Sequence, residues 1–103
     1  MHGLLVTFRS TVPVEHLAQP FGAYADGLMD VPGLVSKAWL NDGATIGGFY
    51  LFSDRSSLDA YLSSPMVAEL RGNPAFDDFE VRTFDILDDL SGRTGIRAEV
   101  LSA

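Results

Sequence analysis

The stretch "LVSKAWLNDGATIGGFYLF" (34–52) decides the fold. Two runs of β-branched and aromatic residues, 34–40 and 45–52, flank "NDGA", and Asp42-Gly43 is a strong signal for a tight hairpin. With those two residues at the centre of the turn, paired numbers sum to 85. Lys37 then faces Gly48, Trp39 faces Ile46 and Val35 faces Tyr50. Cross-strand partners share a face. Gly48 therefore makes a hollow bordered by Lys37, Trp39 and Tyr50. Gly47 points to the other face, beside Ala38, where a flat surface would admit another layer. Two adjacent glycines in an apolar strand are costly, since glycine packs nothing and loses the most backbone entropy.

Working outward, "GLLVTFR" (3–9) reads as a strand. Pro13 suits the first turn of a following helix, whose apolar stripe is Val14, Leu17, Phe21, Tyr24 and Leu28. Pro20 falls inside that stripe and predicts a kink or two short helices. "DVPGL" (30–34) is a turn. Asp54 is placed to cap a second helical region, with Leu58, Tyr61, Leu62, Met66 and Leu70 on its apolar side. Ser64-Pro65 predicts a restart, and Gly72-Asn73-Pro74 a stop. "FEVRTFDIL" (79–87) is a fourth strand. The order β-α-β-β-α-β is that of an α+β, ferredoxin-like fold with an antiparallel four-stranded sheet. Residues 1–88 form this domain, and 89–103 form a C-terminal tail suited to packing on a partner subunit.

Both faces of the hairpin are apolar. Leu34, Leu40, Phe49 and Leu51 fall on one side; Val35, Trp39, Ile46, Tyr50 and Phe52 fall on the other. Helices cover one face, and the uncovered one predicts a homodimer that stacks sheet on sheet.

The totals narrow the function. The chain has 103 residues, a net charge of −7 and 47% hydrophobic residues, which suits one globular domain. The acidic balance argues against nucleic acid and against anionic membrane surfaces. There is no cysteine, so thiolate catalysis and Cys-based metal sites are excluded. No apolar run reaches the roughly 20 residues of a membrane span, and the N-terminus has neither the basic start nor the cleavage site of a signal peptide, so a cytoplasmic location is expected. Two histidines, at 2 and 16, make no metal cluster. No phosphate-binding glycine loop or nucleophile elbow occurs.

"SKAWLNDGATIGGFYLFSDRSSLDAYL" (36–62) resembles the YdhR family, part of the dimeric α/β-barrel superfamily that includes the antibiotic-biosynthesis monooxygenases. The K-x-W strand, the short turn, the G-G-x-Y-L-F-x-D strand and the "AYL" helix carry the likeness, which continues through "VRTFDILDDLS". The resemblance implies a dimer whose two sheets form a barrel, with a pocket in each subunit between its own sheet and helices. It also implies a monooxygenase that needs no metal or flavin and uses molecular oxygen on a small aromatic, phenol-like substrate. Haem-degrading relatives use a histidine on the second helical region; residues 54–72 hold none, which argues against haem.

Lys37 is the only lysine in the chain. It is either a rim cation with its stem on Trp39, or a cation over an apolar cavity that holds an anionic oxygen or acts with a lowered pKa. Lys37 and Tyr50 are the candidate catalytic pair. Trp39, Gly48, Phe52, Phe21, Tyr24, Tyr61 and Met66 are candidate substrate-binding residues, each weighed against simple core packing. His16 is expected at the surface, His2 as a free terminal residue, and Arg82 either in a surface ion pair or as an anion holder. Two other functions fit the same residues: a dimer that binds a small molecule without turnover, and a cyclase or isomerase of the same superfamily.

Overall fold

A computed structural model describes residues 1–96. Four antiparallel strands, β1 (His2–Ser10), β2 (Leu34–Asn41), β3 (Ile46–Phe52) and β4 (Phe76–Asp85), form one sheet in the order β2-β3-β1-β4. Helix α1 (Ala18–Leu28) joins β1 to β2, and α2 (Arg55–Leu62) with α3 (Pro65–Gly72) joins β3 to β4. This is the ferredoxin-like order. One sheet face, carrying Leu4, Val6, Phe8, Ile46, Tyr50 and Phe52, packs on Leu17 and Leu28 from the first crossover and Leu58, Tyr61 and Val67 from the second. Burying each large apolar side chain contributes about 1.5–3 kcal/mol, so this single layer of contacts holds the helices on the sheet.

The prolines act as expected. A short 3-10 helix (Val14–His16) ends before α1 starts, which leaves Pro20 in the first turn of α1, where no N–H partner is required. Pro65 is the first residue of α3. The Asp54 carboxylate accepts the Ser57 N–H at 2.7 Å at the start of α2. That hydrogen bond, with others from the Ser56 and Ser57 side chains, pulls its pKa down to about 2. Val14, predicted in the apolar stripe, is exposed instead, because it belongs to the separate 3-10 turn.

The hairpin differs from its sequence reading by one step. Lys37 pairs with Tyr50, Trp39 with Gly48 and Asn41 with Ile46. The turn is centred on Gly43-Ala44, one residue later than expected. Asp42 does not enter it with positive φ. Its carboxylate instead accepts the Ala44 and Thr45 N–H groups at 2.9 and 2.6 Å, and its own N–H donates to the Thr45 carbonyl at 3.0 Å. Only Gly43 in the turn has positive φ, at 92°. A slip of two in the sum of paired numbers keeps every side chain on its predicted face. Leu34 is the exception. A bulge between Leu34 and Ser36 turns it onto the helix side, where it packs against the core rather than on the open face.

β4 starts at Phe76 and ends at Asp85, shifted towards the N-terminus from the predicted 79–87. A second bulge lies opposite Phe8, between the Thr7–Glu80 and Arg9–Asp77 pairs. There Asp78 takes φ 58°, the left-handed conformation that lets two residues oppose one. The stretch read as a polar tail contains a short helix, α4 (Asp88–Arg93), and its residues 97–103 lie outside the described residues. His2 is not a free end. It pairs with Phe52 and Asp85 in the sheet, and its Nδ1 lies 2.9 Å from the Asp85 carboxylate. No described helix is long and apolar enough to cross a membrane.

Candidate active site around Lys37

Alternation along β2 puts Lys37 and Trp39 on the helix side of the sheet, beside Tyr50 and Gly48 of β3. The Lys37 Nζ lies 3.4 Å from the centroid of the Trp39 ring, 4.5 Å from that of Tyr50 and 5.3 Å from that of Tyr24. The ammonium thus sits in a cage of three ring faces. Among the described residues, no carboxylate lies within ion-pair distance of it. Burial without a counter-charge lowers its pKa from 10.5 to about 7. The amine is therefore divided between its neutral and charged forms near neutral pH.

All three tyrosines of the chain meet next to it. The Tyr24 and Tyr61 hydroxyls are 2.7 Å apart, and Tyr61 donates to Tyr50 at 3.0 Å. A hydroxyl has one proton, so Tyr61, which gives its own to Tyr50, accepts from Tyr24. The chain runs Tyr24 to Tyr61 to Tyr50 and leaves the Tyr50 O–H as its spare donor. Desolvation raises the pKa of each phenol, so all three stay protonated and none serves as a base at neutral pH.

The Gly48 hollow exists, and Lys37 fills it. A Cβ on Gly48 would collide with Lys37 Cε. The enclosed space left between Val6, Phe8, Phe21, Leu70 and the Lys37–Trp39–Tyr50 group is about 10 Å³. That is room for one water-sized molecule and no ring. Gly47 has a different reason from the one its position suggested. Its missing Cβ makes way for the backbone of the neighbouring strand, with the Val6 carbonyl in the way and Thr7 Cα at 2.8 Å. This close approach lies within the sheet.

Of the candidate residues, the structure brings together Lys37, Tyr50, Trp39, Gly48, Phe21 and Tyr24 around this void. Tyr61 joins through its hydroxyl. Phe52 does not reach the void: it is fully buried beside Tyr50 and Tyr61, with ring centroids at 6.2 and 5.6 Å. Met66 packs against Gly27 of α1 and is also outside it. Val6 and Phe8 of β1 and Leu70 of α3 were missed. The alternation of β1 marks Val6 and Phe8 as inward-facing, but nothing local marks which inward residues border Lys37. His16 is exposed, and Arg82 lies over the Phe84 ring at 5.0 Å on the far face of the sheet. Among the described residues, no three His, Asp or Glu side chains cluster as metal ligands would.

Comparison with known proteins agrees with this architecture. SnoaB, a cofactor-independent oxygenase from Streptomyces nogalater, superposes with a TM-score of 0.67 at 15% identity, over 82% of this chain and 91% of that one. The ActVA-Orf6 monooxygenase of Streptomyces coelicolor, in complex with nanaomycin D, gives 0.64 at 17% identity, over 82% and 86%. A variant of MhuD with two manganese protoporphyrin IX molecules per active site gives 0.66 at 13% identity, over 84% and 99%. At these identities the likeness establishes the fold. No curated protein matches the chain significantly. The family model described as "Putative mono-oxygenase ydhR" matches residues 4–95, almost the whole of the described structure, and the chain belongs to that family.

Proposed function

We propose that the protein is a cofactor-independent monooxygenase of a small phenol-like aromatic, with Lys37 as the group that takes the phenolic proton and holds the resulting anion. The observation that carries this reading is the caged amine: a cation among three aromatic faces, with a pKa lowered to about 7 and no carboxylate partner among the described residues. Triplet oxygen reacts slowly with closed-shell molecules, but an electron-rich phenolate gives up one electron directly. The protein must then make the anion, stabilise it and keep water out. The neutral amine accepts the proton and becomes the counter-ion. The Tyr50 O–H, free at the end of the tyrosine chain, supplies a hydrogen bond to the oxygen. Trp39, Tyr24 and Phe21 exclude water. Likeness in fold to SnoaB, a cofactor-independent oxygenase, supports the same reading.

The open sheet face supports a homodimer. Leu40 and Phe84 are exposed on it, beside Phe49 and Leu5. A second copy stacked face to face covers these residues and closes the two sheets into one barrel.

The test is oxygen uptake with a panel of hydroxynaphthalenes, after metals and flavin are stripped away. Uptake that persists in the stripped protein and collapses in Lys37→Met is the expected result. Tight binding with no product, unchanged in Lys37→Met and Tyr50→Phe, replaces the oxygenase with a binding protein.

A further inference from the structure

The inner void at Lys37 is too small for any ring, so an aromatic substrate must lie elsewhere. Directly on the other side of Lys37 and Trp39 is a second cavity of about 250 Å³. Its walls are Ala25 and Leu28 of α1, Met29 just beyond it, and Leu34 and Val35 at the start of β2. Lys37 and Trp39 border both spaces and form the partition between them. This groove runs along the sheet edge, since β2 is an outermost strand.

Two observations point to a ligand there. Trp39, the only tryptophan, is 42% exposed although it sits on the helix-covered face, and Met29 is 84% exposed. An exposed tryptophan and methionine beside an apolar groove form a flat, adaptable wall. The lining contains no carboxylate, in a chain of net charge −7, and its one charged group is the Lys37 cation. At about 250 Å³ the groove is smaller than the roughly 300–1,000 Å³ of pockets that take drug-sized ligands, so it suits a small ring rather than a large ligand.

Resting on the oxygenase reading above, we propose that this edge groove is the ring subsite: a flat aromatic of one or two fused rings lies between Met29, Val35 and Trp39, with its ionised hydroxyl on the Lys37 Nζ. The substrate reaches the amine from the α1–β2 side.

The test uses 4-nitrophenol, a single-ring phenol that ionises near neutral pH and does not need to be turned over. Binding is followed by calorimetry and by the fluorescence of Trp39, the sole indole. Quenching of Trp39 on binding is expected. Ala25→Leu, which fills the groove and leaves the inner void untouched, should weaken binding about tenfold or more, a loss of about 1.4 kcal/mol. Met29→Glu, at an exposed position that does not endanger folding, brings a like charge to the anion and should weaken binding several-fold. Nitrobenzene, without the hydroxyl, should bind equally to the wild type and to Lys37→Met. Wild-type affinity in both Ala25→Leu and Met29→Glu overturns the groove, as does absence of any binding to the wild-type protein. The oxygenase reading is judged separately: uptake that survives Ala25→Leu at wild-type rate retains that reading and rejects the groove. Groove-dependent binding with no uptake for any hydroxynaphthalene does the reverse.

Discussion

Lys37 combines two opposing effects in one side chain. Burial disfavours its charge, and three ring faces favour it, each by about 0.5–2 kcal/mol. The folded pKa of about 7 lies below the ordinary 10.5, so between these values the unfolded chain holds a proton that the folded chain lacks. Stability should therefore rise with pH above about 7 and be flat, for this group, below it. The difference between urea-denaturation profiles of the wild type and Lys37→Met, followed from pH 6 to 9, isolates this rise. On the oxygenase reading, uptake should increase through the same pH region as the amine loses its proton. The two glycines make a sharper contrast. Gly47→Ala drives a methyl into β1 backbone and should cost about 2–3 kcal/mol, whereas Gly48→Ala meets a flexible lysine stem and should cost about 1 kcal/mol or less. Tyr61→Phe strips the Tyr24 and Tyr50 hydroxyls of their shared partner and should destabilise by about 1–3 kcal/mol, read by thermal and urea melts.

Elements with local signals were legible. Ser64-Pro65 breaks the second helical region because proline fits only a first turn, and Asp54 caps because its carboxylate reaches an N–H three residues on. Alternation alone put Lys37, Trp39 and Tyr50 on one face. The pairing register was not legible, because it depends on whether Asp42 enters the turn or caps it with its side chain. The start of β4 was hidden because the bulge at Asp78-Phe79, opposite Phe8, breaks the strand's alternation. At φ 58° a β-branched residue is strained, so Asp78→Val should lower stability by about 1–2 kcal/mol, measured by chemical denaturation. The lysine stem in the Gly48 hollow was beyond reach for another reason: side-chain placement follows from packing among β1, β3 and α1, which are distant in sequence.

At the scale of the whole molecule, the sheet has one face under helices and the other open. Static light scattering at micromolar concentration should report twice the mass of one chain. Leu40→Asp with Phe84→Asp, both already partly exposed, should yield a folded monomer. A wild-type monomer in that experiment rejects the barrel arrangement.

The two bulges have a consequence for the edges of the sheet. Each sits on an outermost strand, at Val35 of β2 and at Asp78 of β4. An edge offers unpaired N–H and C=O groups to any passing strand, and a bulge interrupts that template. Asp77, Asp78, Glu80 and Asp85 add negative charge along β4. Growth by lateral strand addition is thus discouraged at both rims. Both sheet edges are blunted against the strand-by-strand pairing that would seed fibres.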